Sequence, residues 1–452
     1  MPERPVWVIG GGLAGSEAAW QIAEAGWDVD LFEMRPVRQT GAHRTDRLAE
    51  LICSNSLGSR LPDRASGVLM AELRCLGSLL LQLAEASALP AGGALAVDRE
   101  GFADKVTLAL ENHPRVHLIR REMTEIPEGV GVVASGPLSS PRFASELARL
   151  AGEDHLYFYD ALSPIVEADS VDGEIAYRGS RYGRGEMPDG DYLNCPMTKV
   201  EYEAFVEALT GADRIPLRDF ESTIPEGVRA GEGIYFEGCL PVEIIASRGG
   251  QALAFGPMRP VGLHDPRTGT RPHAVVQLRQ DNLAGSLYNL VGFQTNLTFA
   301  EQKRVFSMIP GLAGARFARF GQMHRNTFIN SPRLLESTLE MRRRPGLFFA
   351  GQITGVEGYL GNIATGLLAG LNVARHLRQQ PLLELPTSTM LGALCHYIRH
   401  AEPRTFQPMK ANFGLLPELP GPRVRDRRQR QQMYADRSAE AMEAILAVGM
   451  AG

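Results

Sequence analysis

Near the N-terminus, one short run limits the fold more than any other. VWVIGGGLAGSEAAWQIAEAGWDVDLFEM carries Gly10, Gly12 and Gly15 in the spacing G-x-G-x-x-G. Val6 to Ile9 reads as a buried strand. Ala18, Ala19, Ile22 and Ala23 follow at helical spacing, and Gly26 stops that helix. Val29, Leu31 and Phe32 then begin a second strand that ends at Glu33. In this strand–turn–helix–strand setting the glycines form a dinucleotide-binding fingerprint. Gly10 permits the tight turn, Gly12 lets a pyrophosphate approach the backbone, and Gly15 lets the helix pack closely on the strands. The helix N-terminus offers unpaired N–H groups to the phosphates. The expected cofactor contacts are Gly10, Gly11, Gly12, Leu13, Ala14 and Gly15. Glu33, 18 residues past Gly15, supplies a carboxylate for ribose hydroxyls. The motif alone leaves NAD and FAD both open.

A distant segment favours FAD. RPGLFFAGQITGVEGYLGNIATGLLAGLNVARHL, residues 344–377, reads as strand, glycine loop and helix. Gly351 ends the strand, and Gly355, Gly358 and Gly361 keep the loop open. Flavoproteins with two dinucleotide domains close their FAD site with such a piece near the C-terminus, where the helix N-terminus can face the flavin or the pyrophosphate. Many of them place an aspartate after the strand glycine. Gln352 stands there instead and is expected to hydrogen-bond the ribityl or phosphate region without that charge. VGVVASGP, 130–137, reads as the strand and connector by which the chain leaves this domain.

The chain of 452 residues is too long for one core, so at least two domains are expected. Leucines at 69, 73, 76, 80 and 83 predict one amphipathic helix over 67–88, and Phe102 to Glu111 predicts another. From about 155 to 300, short strand-like runs alternate with Gly/Pro turns, interrupted by the helical KVEYEAFVEALTG. The expected class is α/β: a Rossmann-like FAD-binding domain, residues 1–140 and 331–452, split by an inserted α+β domain, 141–330. RVRDRRQRQQMYADRSAEAMEAILA predicts a basic, exposed C-terminal helix. No run of 18 apolar residues occurs, so no membrane span is expected. No export signal is apparent. The five cysteines, 53, 75, 195, 239 and 395, are widely spaced without C-x-x-C. That argues against a disulfide framework or a metal site and suits a reducing cytoplasm. The net charge of −5 means any nucleic acid must meet a local basic patch. Arg342–Arg344 and Arg423, Arg425, Arg427, Arg428 and Arg430 are the two such clusters; a solvated face is their default role.

GGGLAGSEAAW, AHRTDRLAELICSNSLGS, YLNCPMTK, YFEGCLPVE, FGPMRPVGL, VVQLRQDN, YNLVGFQTNL, MIPGL, MHRNTFINSP and FFAGQITGVEGY occur in this order. Together they resemble the folate- and FAD-dependent tRNA (uracil-5-)-methyltransferases, from Val6 to about Arg375. One departure is YLGNIATG, where that family more often has an acidic residue after the tyrosine. The resemblance implies transfer of the one-carbon unit of 5,10-methylenetetrahydrofolate to C5 of a T-loop uridine, position 54, in tRNA. Reduced FAD would be the reductant, and NADPH or NADH would recharge it. Uracil C5 is a poor nucleophile. Thiolate addition at C6 makes C5 enolate-like, and a base must then remove the C5 proton.

In the resemblance, Cys239 matches the nucleophile and Cys53 the second active-site cysteine, a proton acceptor; Tyr359 matches a tyrosine near the flavin. Gly238 and Pro241 are expected to form an exposed turn around Cys239, and Ser54, Asn55 and Ser56 a polar surround for Cys53. Glu237 and Glu243 would oppose a thiolate at Cys239 unless turned away or paired with cations. Cys75 and Cys395 are expected to be buried and inert, while Cys195 has no clear catalytic role. His43, Arg44, His324, Arg325 and Asn326 could contact folate, flavin or phosphate, or serve as surface or capping groups. Three rivals remain. One is the wobble-uridine FAD/folate enzyme, whose family adds a long C-terminal helical domain for which this chain ends too soon. The others are a generic flavin oxidoreductase and a non-catalytic FAD-binding tRNA chaperone. Oligomeric state is not legible.

Overall fold

The computed structural model describes residues 5–40, 42–152, 156–161, 163–215, 240–321, 323–404, 406–422 and 424–449, with 156–161, 323–326 and 448–449 as backbone only. Glu237, Gly238 and Cys239 lie outside the described residues.

The strand Val6–Ile9 is buried along its whole length. It pairs in parallel with Val29–Glu33 on one side and Gly131–Val133 on the other. Val116–Arg120 extends the first edge and Leu347–Phe349 the second, both in parallel. Numbered along the chain, the five strands lie in the order 5-4-1-2-3, the doubly wound α/β arrangement. Such sheets are covered on both faces, which accounts for the continuous apolar runs. Strand order reverses between Val6–Ile9 and Gly131–Val133. Ligands bind at the carboxyl ends of strands flanking such a reversal.

The last strand comes from far along the chain, and its following helix locks it in. Helix Tyr359–Leu377 lies against helix Leu13–Glu24. A Cβ on Gly366 would fall 2.2 Å from the Ala14 carbonyl oxygen, and one on Gly370 2.8 Å from that of Ala18. Only glycine permits this backbone approach. The two helices share one apolar core with Ile22, Ile363, Leu367 and Val373.

The leucine-rich stretch forms two helices rather than one. Ala65–Cys75 and Leu79–Glu85 meet at a bend of 118°. Gly77, at φ +75°, supplies the left-handed turn. Ser78 caps the second helix by accepting from the Leu81 amide, and buried Glu17 accepts from Ser78 Oγ and the amides of Leu79 and Leu80. The leucine spacing runs through the break because both helices face the same core. Cys75 lands on the outside of the bend and is exposed, against expectation.

A second, antiparallel sheet has six strands. Tyr192–Met197, Ala274–Gln280, Leu287–Leu290 and Ile165–Glu167 form its middle, with Tyr177–Gly179 and Phe317–Arg319 at the edges. Helix Lys199–Thr210, started by a Thr198/Glu201 capping box, packs Tyr202, Phe205 and Leu209 into a core separate from the first. Leu156–Ala161 and Met323–Phe328 pair antiparallel where the chain leaves for this sheet and returns. Helix Pro141–Ala151 packs Phe143 and Leu147 with Trp7 and Ile9 of the first sheet. Cys195 and Cys395 sit in the two cores, where burial pushes each thiol up to about 12.

The C-terminal helix Arg427–Gly449 is docked as well as basic. Arg64 donates to Gln431 at 3.0 Å, Ser438 donates to buried Glu72 at 2.5 Å, and Met442 is buried. Among the described residues no single helix is long and apolar enough to cross a membrane.

Candidate active site

A cleft opens at the reversal point of the parallel sheet. Of the expected cofactor contacts, Gly10, Gly12, Leu13, Ala14, Glu33, Gly351, Gln352 and Tyr359 line it. Gly11 and Gly15 stand just behind. The Gly11 amide donates to Glu33 Oε2 at 3.0 Å. A Cβ on Gly15 would sit 1.7 Å from the Gly10 carbonyl oxygen. A Cβ on Gly12 would meet no atom within 4 Å, so the space beside this glycine is open.

Both helices begin at this cleft without a side-chain cap, at Gly12 and Gly358. Their first-turn N–H groups are suited to an anionic diphosphate. Asn362, in the first turn of the second helix, lines the cleft with a buried Oδ1 that has no hydrogen-bond partner among the described residues. An orphaned buried acceptor calls for a donor from a bound group. The site therefore fits a dinucleotide.

Glu33 is tightly held. Its Oε1 accepts from the Arg35 amide and from Arg35 Nε, each at 2.9 Å, and Arg35 also pairs with Glu50 at 3.0 Å. Burial raises the Glu33 pKa, but the hydrogen bonds and charge of Arg35 outweigh it and hold the carboxyl below its ordinary value. Gln352 Nε2 donates to Glu357 at 2.6 Å. His43 also lines the cleft, with Nδ1 2.7 Å from Thr40 Oγ1.

A second cleft adjoins the first. Ile52, Pro137, Gln352, Tyr359 and Asn362 belong to both walls, and Cys53, Ser54 and Gln294 belong to the second. Tyr359 stands at the join. Its hydroxyl accepts from the amides of Cys53 and Ser54, at 2.8 and 3.1 Å. Burial, with Cys53 beside it, raises the Tyr359 pKa, so the phenol stays neutral.

Behind the Cys53 segment lies a set of arginines that sequence reasoning missed. Arg99 pairs with Asp281 at 2.9 Å and donates to the Leu51 carbonyl at 2.9 Å. Arg279 donates to Asn55 Oδ1 at 2.7 Å, and Arg319 Nη2 reaches the Cys53 carbonyl at 3.5 Å. Asn55 in turn donates to the carbonyls of Val97 and Gln280. Burial, with Arg99 nearby, lowers the Arg319 pKa to about 10, and burial lowers that of Arg279. A charged residue inside the apolar run VVQLRQ was the available signal for Arg279.

Cys239 lies outside the described residues, but the chain that follows it is fixed. Pro241 is buried at the start of helix Val242–Ser247 and so is not exposed as expected, while Gly238 and Cys239 of the expected turn lie outside the described residues. The Val242 amide donates to the Gln294 carbonyl at 2.7 Å, and Gln294 lines the second cleft. Glu243 is buried; it accepts from Thr295 Oγ1 and the Asn296 amide, each at 2.8 Å, and burial raises its pKa. Its hydrogen bonds come from neutral donors, and the charge of Arg214 acts on it from nearby. Of the arginine clusters, Arg342 donates to the Leu335 and Pro332 carbonyls and Arg344 to that of Pro127, while Arg428 pairs with Asp63 at 3.3 Å. Strand Met323–Phe328 carries His324, Arg325 and Asn326 on its backbone.

The family model described as "Glucose inhibited division protein A" matches residues 5–381. A methylenetetrahydrofolate–tRNA-(uracil-5-)-methyltransferase TrmFO from Synechococcus sp. (strain JA-2-3B'a(2-13)) is 56% identical over 439 residues, 97% of this chain and 93% of its own. The Bacillus subtilis (strain 168) protein of the same name is 52% identical over 445 residues, 98% of this chain and 99% of its own. The chain belongs to this methyltransferase family. The family member also shares its fold with Aquifex aeolicus GidA. In the form I crystal of that protein the TM-score is 0.67 at 17% identity, covering 97% of this chain and 76% of the other.

Proposed function

We propose that this enzyme methylates C5 of the T-loop uridine at position 54 of tRNA, with 5,10-methylenetetrahydrofolate as carbon donor. The observation that carries the reading is the joining of two clefts at Tyr359, one with dinucleotide chemistry and one walled by Cys53. In this reading residues 1–140 and 331–452 are the FAD-binding domain and 141–330 the inserted one, whose first helix Pro141–Ala151 nevertheless packs on the FAD-binding sheet, and the reaction runs in the reducing cytoplasm.

FAD would be held in the first cleft by the Gly10–Gly15 loop, Glu33, Gly351, Gln352, Asn362 and Tyr359; when reduced it supplies the reducing equivalents for the methyl group, and NADPH or NADH recharges it. The second cleft takes the uracil and the folate. Cys239 adds as thiolate to uracil C6, which makes C5 nucleophilic toward the methylene carbon. Cys53 then takes the C5 proton, the C–N bond to tetrahydrofolate breaks, two reducing equivalents complete the methyl group, and elimination at C6 frees Cys239. Val242 is three positions after Cys239, a span of at most about 11 Å. Val242 is tied to the wall that also carries Cys53, which supports the meeting of the two sulfurs. A uridine folded into the T-loop must be extruded to reach them. Tyr359 and the arginines hold the Cys53 segment in place for it.

The test is incubation with unmodified tRNA, methylenetetrahydrofolate and NADPH, followed by nucleoside analysis: 5-methyluridine is expected at one site. Cys239→Ala is expected to abolish product while keeping bound flavin. Normal methylation by that variant would remove the nucleophile assignment, and loss of flavin would assign Cys239 a structural role.

A further inference from the structure

Three phenylalanine rings form a ladder at the edge of the second sheet. Phe317 and Phe320 stack with centroids 5.1 Å apart and planes at 16°; Phe320 and Phe299 continue at 5.2 Å and 17°. The inner end is rooted in the second core, where Phe317 lies 6.5 Å from buried Phe306. The outer end is Phe299, which stays 49% exposed although Phe320 covers part of it. Offset stacks at this spacing are favourable for aromatic rings.

The ladder is held rigidly. Gln302 Nε2 donates to the carbonyls of Leu297 and Gly321 at 2.8 Å, and its Oε1 accepts from the Gly321 amide at 2.7 Å. This ties the Phe320 turn to helix Phe299–Phe306. The chain links the inner end of the ladder to the site, because Arg319, between Phe317 and Phe320 in sequence, reaches the Cys53 carbonyl at 3.5 Å. One helical turn from Phe299, at i+4, is Lys303, exposed and without an ion pair among the described residues.

We infer that Phe299, backed by Phe320 and Phe317, is a stacking platform for an unpaired base of the tRNA substrate, with Lys303 on the adjoining phosphate. The inference rests on the tRNA reading above. A preformed aromatic face beside a cation is the arrangement that binds single-stranded nucleic acid with little sequence preference. Extruding the target uridine leaves neighbouring bases unstacked, and a platform near the Cys53 wall would receive one of them.

The experiment measures tRNA affinity over a salt series for the flavin-loaded enzyme. Phe299→Ala is expected to weaken binding roughly tenfold or more with an unchanged salt slope, the effect of losing one stacked base. Phe299→Trp is expected to restore affinity and to show fluorescence quenching on tRNA addition beyond that of the wild-type tryptophans. Lys303→Gln is expected to lower the slope by about one phosphate contact. Thermal midpoint and flavin reduction by NADPH should be the same in all. Wild-type affinity in Phe299→Ala, or no recovery in Phe299→Trp, overturns the platform while leaving the tRNA reading intact. Failure of the wild-type enzyme itself to bind tRNA overturns both.

Discussion

The phenolic oxygen of Tyr359 accepts the amide protons of Cys53 and Ser54, residues 306 and 305 positions away along the chain. One phenolic oxygen thus fixes the backbone on which Cys53, the proposed proton acceptor, stands, at the join of the two clefts. Tyr359→Phe leaves two amide donors unsatisfied, at about 1–3 kcal/mol. The expected outcome is local loosening with the fold retained: hydrogen exchange at the 53 and 54 amides speeds up by roughly tenfold or more, and methylation falls.

Gly12 and Gly15 separate two ways of losing a cofactor. Gly15→Ala drives a Cβ into the Gly10 carbonyl and is expected to destabilise the protein outright. Gly12→Ala meets no atom of the protein. It is expected to leave the stability of the flavin-free protein within about 0.5 kcal/mol of wild type, yet weaken flavin binding. Denaturant unfolding and flavin titration of both variants check this; equal stabilities would contradict it.

Asp281 is the carboxylate partner of buried Arg99, with Arg279 and Arg319 close by. Asp281→Asn strands a buried cation, at a cost of about 3–5 kcal/mol. Urea midpoints are expected to show it, and the double variant Asp281→Asn with Arg99→Met should recover part of the loss.

Glu33 carries a pH signature. Its folded-state pKa is lowered, by Arg35 against the opposing effect of burial. The folded protein therefore binds fewer protons there than the unfolded chain, and stability rises with pH. The contribution is complete above the unfolded carboxylate value and is lost as pH falls through the lowered one. In flavin-free protein, Glu33→Gln is expected to flatten the acid limb of stability against pH below about 4.5. An acid limb as steep as wild type would contradict the assignment.

The sheet was readable because its signals are local. Val6–Ile9, the glycine loop and Glu33 state their roles within one short stretch, and the 344–377 segment repeats the pattern. The break at Gly77 was less visible, since leucine spacing reports the face of a helix and not its axis. The arginine set was hidden because Arg99, Arg279 and Arg319 come from three distant segments and meet only through carbonyls and Asn55, which no periodicity records. Asn362 was passed over because a single polar residue in an apolar helix gains meaning only when its unpartnered oxygen is seen at the cleft.

Strand Leu347–Phe349 pairs with Gly131–Val133, which the ribosome makes 216 residues earlier. At about 5–20 residues per second, the earlier strand waits roughly 10–40 s for its neighbour. Throughout synthesis it presents an open, apolar edge of the kind that invites wrong pairing. The antiparallel body, complete in sequence before that neighbour appears, is free to fold first and bring the two ends of the chain together. Biogenesis of this enzyme is thus exposed to aggregation in its first half, and slowing translation after Val133 should lower its yield more than slowing it after Phe349.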